Sequence, residues 1–237
     1  MILVRLLCLC FLALSAAPPT TAPTSAPASA ITIDTAPPTV DRVMFNRDNP
    51  PADMPALKPG EAALTRSSFE CRAGVTYQIL TNEQIGDHWH AVIRIARVHF
   101  SVRLIDTIFL PMGAPILLRA HEEGHREMNE RVYKEGIPVA RTAAAAILTH
   151  NWQADGPDAE AAAKAASDVA VNQMCQDYLA GTAARASRLG DIYDRFTSHG
   201  RNQMYVANAI RLSFLEEQRI PATRPAELLH ATTGESK

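Results

Sequence analysis

Between residues 67 and 110 the apolar positions follow a period close to two. Phe69 to Cys71 and Val75 to Ile79 are short strand candidates. From His90 to Val98 the residues Val92, Ile93, Ile95 and Val98 intermingle with Arg94 and Arg97, and Phe100 to Leu110 continues with Val102, Leu104, Ile108 and Phe109. Such alternation marks half-buried strands and predicts three or four of them. After Pro111 the pattern turns helical. Ile116, Leu117 and Leu118 open an apolar run, Pro115 suits a first helical position, and Gly136 with Pro138 suits a stop, so a helix is predicted at about 114–135. Val139 to His150 is Ala-rich and compact, Asp158 to Leu189 is a long helix-forming stretch behind Pro157, and Asn202 to Gln218 is a last helix candidate. Strands followed by helices predict an α+β domain, with a small N-terminal β-sheet preceding the helices. No internal repeat is visible.

The ends of the chain read differently. Arg5 and the apolar run Leu6 to Ala17 have the form of an export signal, assigned to residues 1–17 with cleavage near Ser15 to Ala17. Residues 18–60 are rich in Pro, Ala and Thr and read as a linker, with Val40 to Phe45 as a candidate extra strand. A domain at 61–220 and a loose tail at 221–237 complete the expected organisation. Export implies a periplasmic or secreted location and leaves Cys71 and Cys175 as the mature cysteines. In an oxidising compartment they are expected to pair. The formal charge of −2 argues against nucleic acid or an anionic membrane surface as the main partner. No stable membrane insertion is expected once the signal is removed.

The densest chemistry is His121-Glu122-Glu123-Gly124-His125. Residues four apart share a helix face, so both imidazoles of an H-E-x-x-H segment reach one metal ion while the intervening Glu stands beside them. That arrangement predicts Zn²⁺ as cofactor, His121 and His125 as ligands, Glu122 as general base, and a zincin-like fold with the segment on the first long helix. Glu123 departs from the usual uncharged residue at its position. The plainer alternative is a solvated, charge-rich helix face, since Arg126, Glu127, Glu130, Arg131 and Lys134 follow. His88 and His90 form an H-x-H pair that reads as exposed strand chemistry.

A second cluster runs Tyr193-Asp194-Arg195-Phe196-Thr197-Ser198-His199-Gly200, then Gln203. Together with Leu118 to Arg126 it resembles the bacterial domain of unknown function 922 family, whose members pair an H-E-x-G-H core with a later Y-D-x-x-T-x-H-G-x-x-Q segment. The resemblance covers roughly residues 65 to 215. It implies a secreted zinc-dependent peptidase acting on a peptide or protein substrate. A catalytic zinc takes a third protein ligand. His199 is the first choice, and Asp194 is either the rival ligand or the acceptor that orients the His199 ring. Tyr193 is an oxyanion-donor candidate or a packed core aromatic. A strand between 90 and 110 is expected to form the cleft edge. Two other functions stay open: a binding or assembly module of the envelope with structural or no zinc, and an amidase acting on cell-wall peptides.

Overall fold

A computed structural model describes residues 29–220. Residues 1–17, expected to be a signal, and 221–237, expected to be a tail, lie outside the described residues. The elements in chain order are β1 (Ile31–Thr35), β2 (Thr39–Phe45), β3 (Leu64–Ile85), β4 (His88–Pro111), α1 (Ile116–Leu148), β5 (Asn151–Gly156), α2 (Ala159–Gly181), α3 (Ala183–Thr197) and α4 (Val206–Arg219). The class is α+β: a five-stranded mixed sheet, α1 between its fourth and fifth strands, and three helices after it.

β4 is the spine of the sheet. Antiparallel β3 pairs with it from end to end, and a composite of antiparallel β5 and parallel β1 and β2 lies along its other side. Residues 31–35 and 39–45 of the stretch read as linker are therefore sheet, the second of them at the candidate strand Val40 to Phe45. The expected cleft edge at 90–110 is also overturned, because β4 is paired on both sides. Among the described residues β3 pairs only with β4 and forms one free edge of the sheet, while β1, β2 and β5, which also pair only with β4, form the other.

The strands are fewer and longer than expected for a definite reason. Ala91, Ile93 and Ile95 are buried, then Val98, Phe100, Val102 and Leu104. The phase of alternation thus flips near Ala96, which a period-two reading takes for a strand boundary. The register instead shifts between Thr76 and Tyr77, opposite Arg97 and Ile95. An extra residue in one strand is a β-bulge: it reverses the facing of all that follows without ending the strand. A second shift lies between Ile79 and Thr81. A tight turn at Gly86, whose φ is +65°, closes the hairpin.

α1 likewise outruns its predicted stop and continues through Pro138 to Leu148. Proline removes one helical N–H and frees the carbonyl four residues back. Here both Pro138 and Lys134 are exposed, so this turn of the helix faces solvent, where a freed carbonyl is least costly. The Asp158–Leu189 stretch divides into α2 and the start of α3 at Thr182, and β5 is an element with no counterpart in the sequence reading. Asp158 caps α2 by accepting the Ala161 N–H at 2.8 Å.

The main core lies between β4 and the helices. Phe100, Ile93 and Leu104 meet Met128 and Val132 of α1 and Met174 and Tyr178 of α2, with Phe100 and Tyr178 edge to face at 5.5 Å. α2 turns an alanine face (Ala162, Ala163, Ala166, Ala170) inward, which lets its backbone come close. A disulfide joins Cys71 of β3 to Cys175 of α2, as expected from the cysteine count. No helix among the described residues is long and apolar enough to cross a membrane.

Candidate metal centre

The first turns of α1 carry His121 and His125 on one face, as the four-residue spacing requires. Both rings point Nε2 at the same carboxylate oxygen. Asp194 Oδ1, on α3, is 3.2 Å from His121 Nε2 and 3.0 Å from His125 Nε2, and the two nitrogens are 3.2 Å apart. A tetrahedral ion with bonds near 2.0–2.1 Å separates its ligand atoms by about 3.3 Å. The donor set, two imidazoles and a carboxylate, thus fits a divalent metal in chemistry and in spacing. The cluster is not confined to α1: its third member arrives from α3.

Electrostatics agree with a site shaped for positive charge. Burial works against the ionised form of Asp194, but the two imidazoles outweigh it and hold the carboxyl well below the usual carboxylate range. Burial also disfavours the charged ring of His125, yet Asp194, with Glu122 and Glu61 behind it, raises that ring's pKa.

Close packing sets the orientation of the ligands. Tyr193 is fully buried behind the two rings, stacked on His121 at 5.0 Å and edge-on to His125 at 4.9 Å. Its hydroxyl donates to the His121 carbonyl at 3.3 Å, and burial keeps it protonated. Tyr193 does not line the cavity, so its geometry is that of a support for the imidazoles rather than of an oxyanion donor. Gly124 makes this packing possible: a methyl group there would overlap the Tyr193 hydroxyl and lie 2.7 Å from Cζ. His121 Nδ1 is buried without a hydrogen-bond partner. Metal-binding histidines usually anchor that nitrogen on an acceptor. Here the ring is instead clamped between Tyr193 and Gly200, whose Cα hydrogen faces His121 where a Cβ would come within 2.8 Å of it.

Glu122 is 2 % exposed and stands beside the cluster. Thr65 of β3 donates its hydroxyl to Glu122 Oε2 at 2.8 Å and also contacts the Glu122 carbonyl at 3.1 Å. Burial raises the Glu122 pKa, although the neighbouring histidines and Thr65 pull the other way. Glu123 faces away, bound by Arg42 of β2 through two bonds of 2.7 and 3.0 Å and by Arg126. Its charge at the unusual position thus fastens α1 to the sheet without entering the site.

His199 lies close by without joining the three converging atoms. Its Nδ1 is 3.7 Å from Asp194 Oδ1, and it forms a separate group with Asp194 and Glu61. Three successive residues after α3 have left-handed backbone: Ser198 (φ 51°), His199 (φ 54°) and Gly200 (φ 72°). The Thr197 hydroxyl donates back to the Tyr193 carbonyl, and Asn202 donates to the Phe196 carbonyl, which tie this turn to the helix. Gln203 is exposed. His88 and His90 pair with Asp87 and Asp155, away from the centre.

The centre opens into a cavity of about 340 Å³. One wall is the start of β3, where Thr65, Ser67 and Phe69 share a face; the opposite wall is α3, with Ala186, Gly190 and Asp194. The segment from Pro55 to Ala63 closes a third side. Thr65 and Glu61 are site residues that the sequence reading missed, and no local pattern marks either. No protein-family model, no curated protein and no solved structure matches this chain.

Proposed function

We propose that the chain is a zinc-dependent peptidase, with His121, His125 and Asp194 as ligands and Glu122 as general base. The observation that carries this is the convergence of three ligand atoms from two helices beside a buried glutamate, at the floor of an open cavity. A structural zinc is closed by four protein ligands, whereas a catalytic one keeps a position for substrate or water. Three converging ligands and an adjoining cavity favour the second. The resemblance to the domain of unknown function 922 family belongs to this proposal, since the matched Tyr193 packs against both imidazoles and the matched Asp194 meets both ring nitrogens.

Zinc in this site supplies Lewis acidity, activating a water and polarising a substrate carbonyl. Glu122 takes a proton from the water as its oxygen bonds to the carbonyl carbon, and then delivers that proton to the amide nitrogen as the tetrahedral adduct collapses and the C–N bond breaks. Thr65 occupies Oε2 and leaves Oε1 for this exchange. Tyr193 and Gly124 hold the rings. The free edge of β3 beside the cavity offers backbone groups to an extended peptide, which would add as a further strand.

The test uses mature protein carrying one zinc, assayed against a quenched-fluorescence peptide library and against cell-wall peptides. Hydrolysis is expected for the wild type, and Glu122→Gln should retain zinc and lose at least about 100-fold in turnover. Cleavage confined to cell-wall peptides would make the chain an amidase. A zinc-loaded wild type inert to both substrate classes would point to a binding module, and full turnover in Glu122→Gln would remove the general base.

A further inference from the structure

We propose that Asp194 serves two divalent cations, the second held with it by Glu61 and His199. The inference builds on the reading of the first centre. Ligand atoms of Glu61, Asp194 and His199 all lie within 4.8 Å of one another. A six-coordinate ion with bonds near 2.1 Å spaces its ligands by roughly 3 to 4 Å, a contraction that half-buried side chains achieve by small torsional changes.

Both outer residues are placed with care. His199 sits in a run of three left-handed residues, two of them not glycine. One such residue suffices to end a helix, and each non-glycine one costs about 1 kcal/mol or more. What the extra turn accomplishes is to set the His199 imidazole against Asp194 in the cavity wall. Glu61 ends a Lys58-Pro59-Gly60-Glu61 turn. Its N–H donates to the Lys58 carbonyl at 3.0 Å, and Gly60 has φ +90°, as a type II turn with Pro and Gly at its centre requires. The Lys58 N–H donates to Glu61 Oε2 at 2.8 Å, and the Lys58 side chain reaches Asp191 of α3 at 3.7 Å. The turn is thus fastened across the cavity mouth with its carboxylate facing inward.

Charge points the same way. Glu122, Asp194 and Glu61 together carry three negative charges when ionised, and one divalent ion leaves them unbalanced. Among the described residues no Lys or Arg pairs with Glu61. One imidazole and two carboxylates suit zinc, manganese or cobalt. Two ions sharing a carboxylate sit about 3.5–4 Å apart, the spacing at which both ends of a breaking bond are held. The outer ion binds more weakly, because all three of its ligands are half-buried and their atoms are less tightly converged than those of the inner set.

Metal-stripped mature protein is dialysed against buffered zinc over a range of free concentrations, and bound zinc is counted by elemental analysis. The wild type should fill one tight site and then a second. Glu61→Gln and His199→Ala should keep the first and lose the second. With two equivalents of cobalt, spin coupling should weaken the electron paramagnetic resonance signal below twice that of one equivalent. Wild-type saturation at a single ion overturns the outer site and leaves the inner one standing. Saturation at one ion that His199→Ala then weakens makes His199 a ligand of that ion, which also overturns the pair. Two ions in the wild type and in both variants place the extra ion elsewhere and refute the assignment. No zinc at any concentration removes the inner centre as well.

Discussion

Gly124→Ala separates two forces of opposite sign. Glycine inside a helix is disfavoured relative to alanine by about 0.8–1.0 kcal/mol, so propensity alone predicts a more stable protein. The packing predicts the reverse. A methyl at Gly124 overlaps the Tyr193 hydroxyl, lies 2.7 Å from Cζ and is 3.0 Å from Val206 Cγ1. Tyr193 cannot swing aside, because it is fully buried between two imidazoles. Overpacking of this kind costs about 1–3 kcal/mol. Displacing the hydroxyl also loses its bond to the His121 carbonyl, worth about 1 kcal/mol. The expected net result is destabilisation by about 1–3 kcal/mol, read as a lower urea midpoint at constant slope. Tyr193 and Asp194 are neighbours in the chain, so the shift also carries Asp194 away from the imidazoles. Zinc affinity, measured by competition with a chelator, should fall by about 10- to 100-fold, the range for losing a support of a ligand. Tyr193→Phe keeps the stack and should lose only about 1 kcal/mol. A Gly124→Ala protein that is more stable than wild type, with unchanged zinc affinity, would refute the packing argument.

Two further outcomes can be checked on the folded protein. Asp106 is fully buried, accepts a hydrogen bond from Asn129 at 3.2 Å, and has one oxygen without a partner; burial pushes its pKa up to about 6. The native state therefore holds this proton more tightly than the unfolded chain, whose aspartates titrate near 3.9. The associated stability is complete below pH of about 4, is lost as pH rises to about 6, and amounts to at most about 3 kcal/mol. Asp106→Asn should remove that slope, so its stability relative to wild type should rise between those pH values; a flat difference in urea unfolding across the window would sink the assignment. Reducing the bond between Cys71 and Cys175, which spans 104 residues, should cost about 2–5 kcal/mol. An unchanged thermal midpoint in reductant would show that the crosslink does not constrain the unfolded chain.

What the sequence revealed depended on how local each signal was. The H-E-x-x-H segment and its helix were legible because ligand spacing and helical period coincide within one turn. The pairing of Cys71 with Cys175 followed from counting. The long strands were not legible, since the bulge near Ala96 reverses the facing of residues and imitates a boundary. Pro138 misled because its cost depends on whether the freed Lys134 carbonyl meets water, which is a property of the fold. Spacing alone left Asp194 and His199 open as rivals. A sharper signal was present: Gly190, Asp194 and Thr197 stand at i, i+4 and i+7, one face of a helix, while His199 falls beyond its end. Glu61 and Thr65 had no such signal, because a turn and a strand start bring them to the centre only through tertiary contacts.

The ligand atoms that converge on one point are far apart in the chain, with Asp194 following His125 by 69 residues. Everything between them, namely the rest of α1, β5, α2 and most of α3, must be synthesised and docked before the third ligand arrives. A polypeptide still being synthesised, or one truncated after α1, carries the whole H-E-x-x-H segment and yet lacks the third member of the cluster. Under the peptidase reading, hydrolytic capacity is thus a property of the finished fold alone, and the cell that makes the chain is spared its activity until folding is complete.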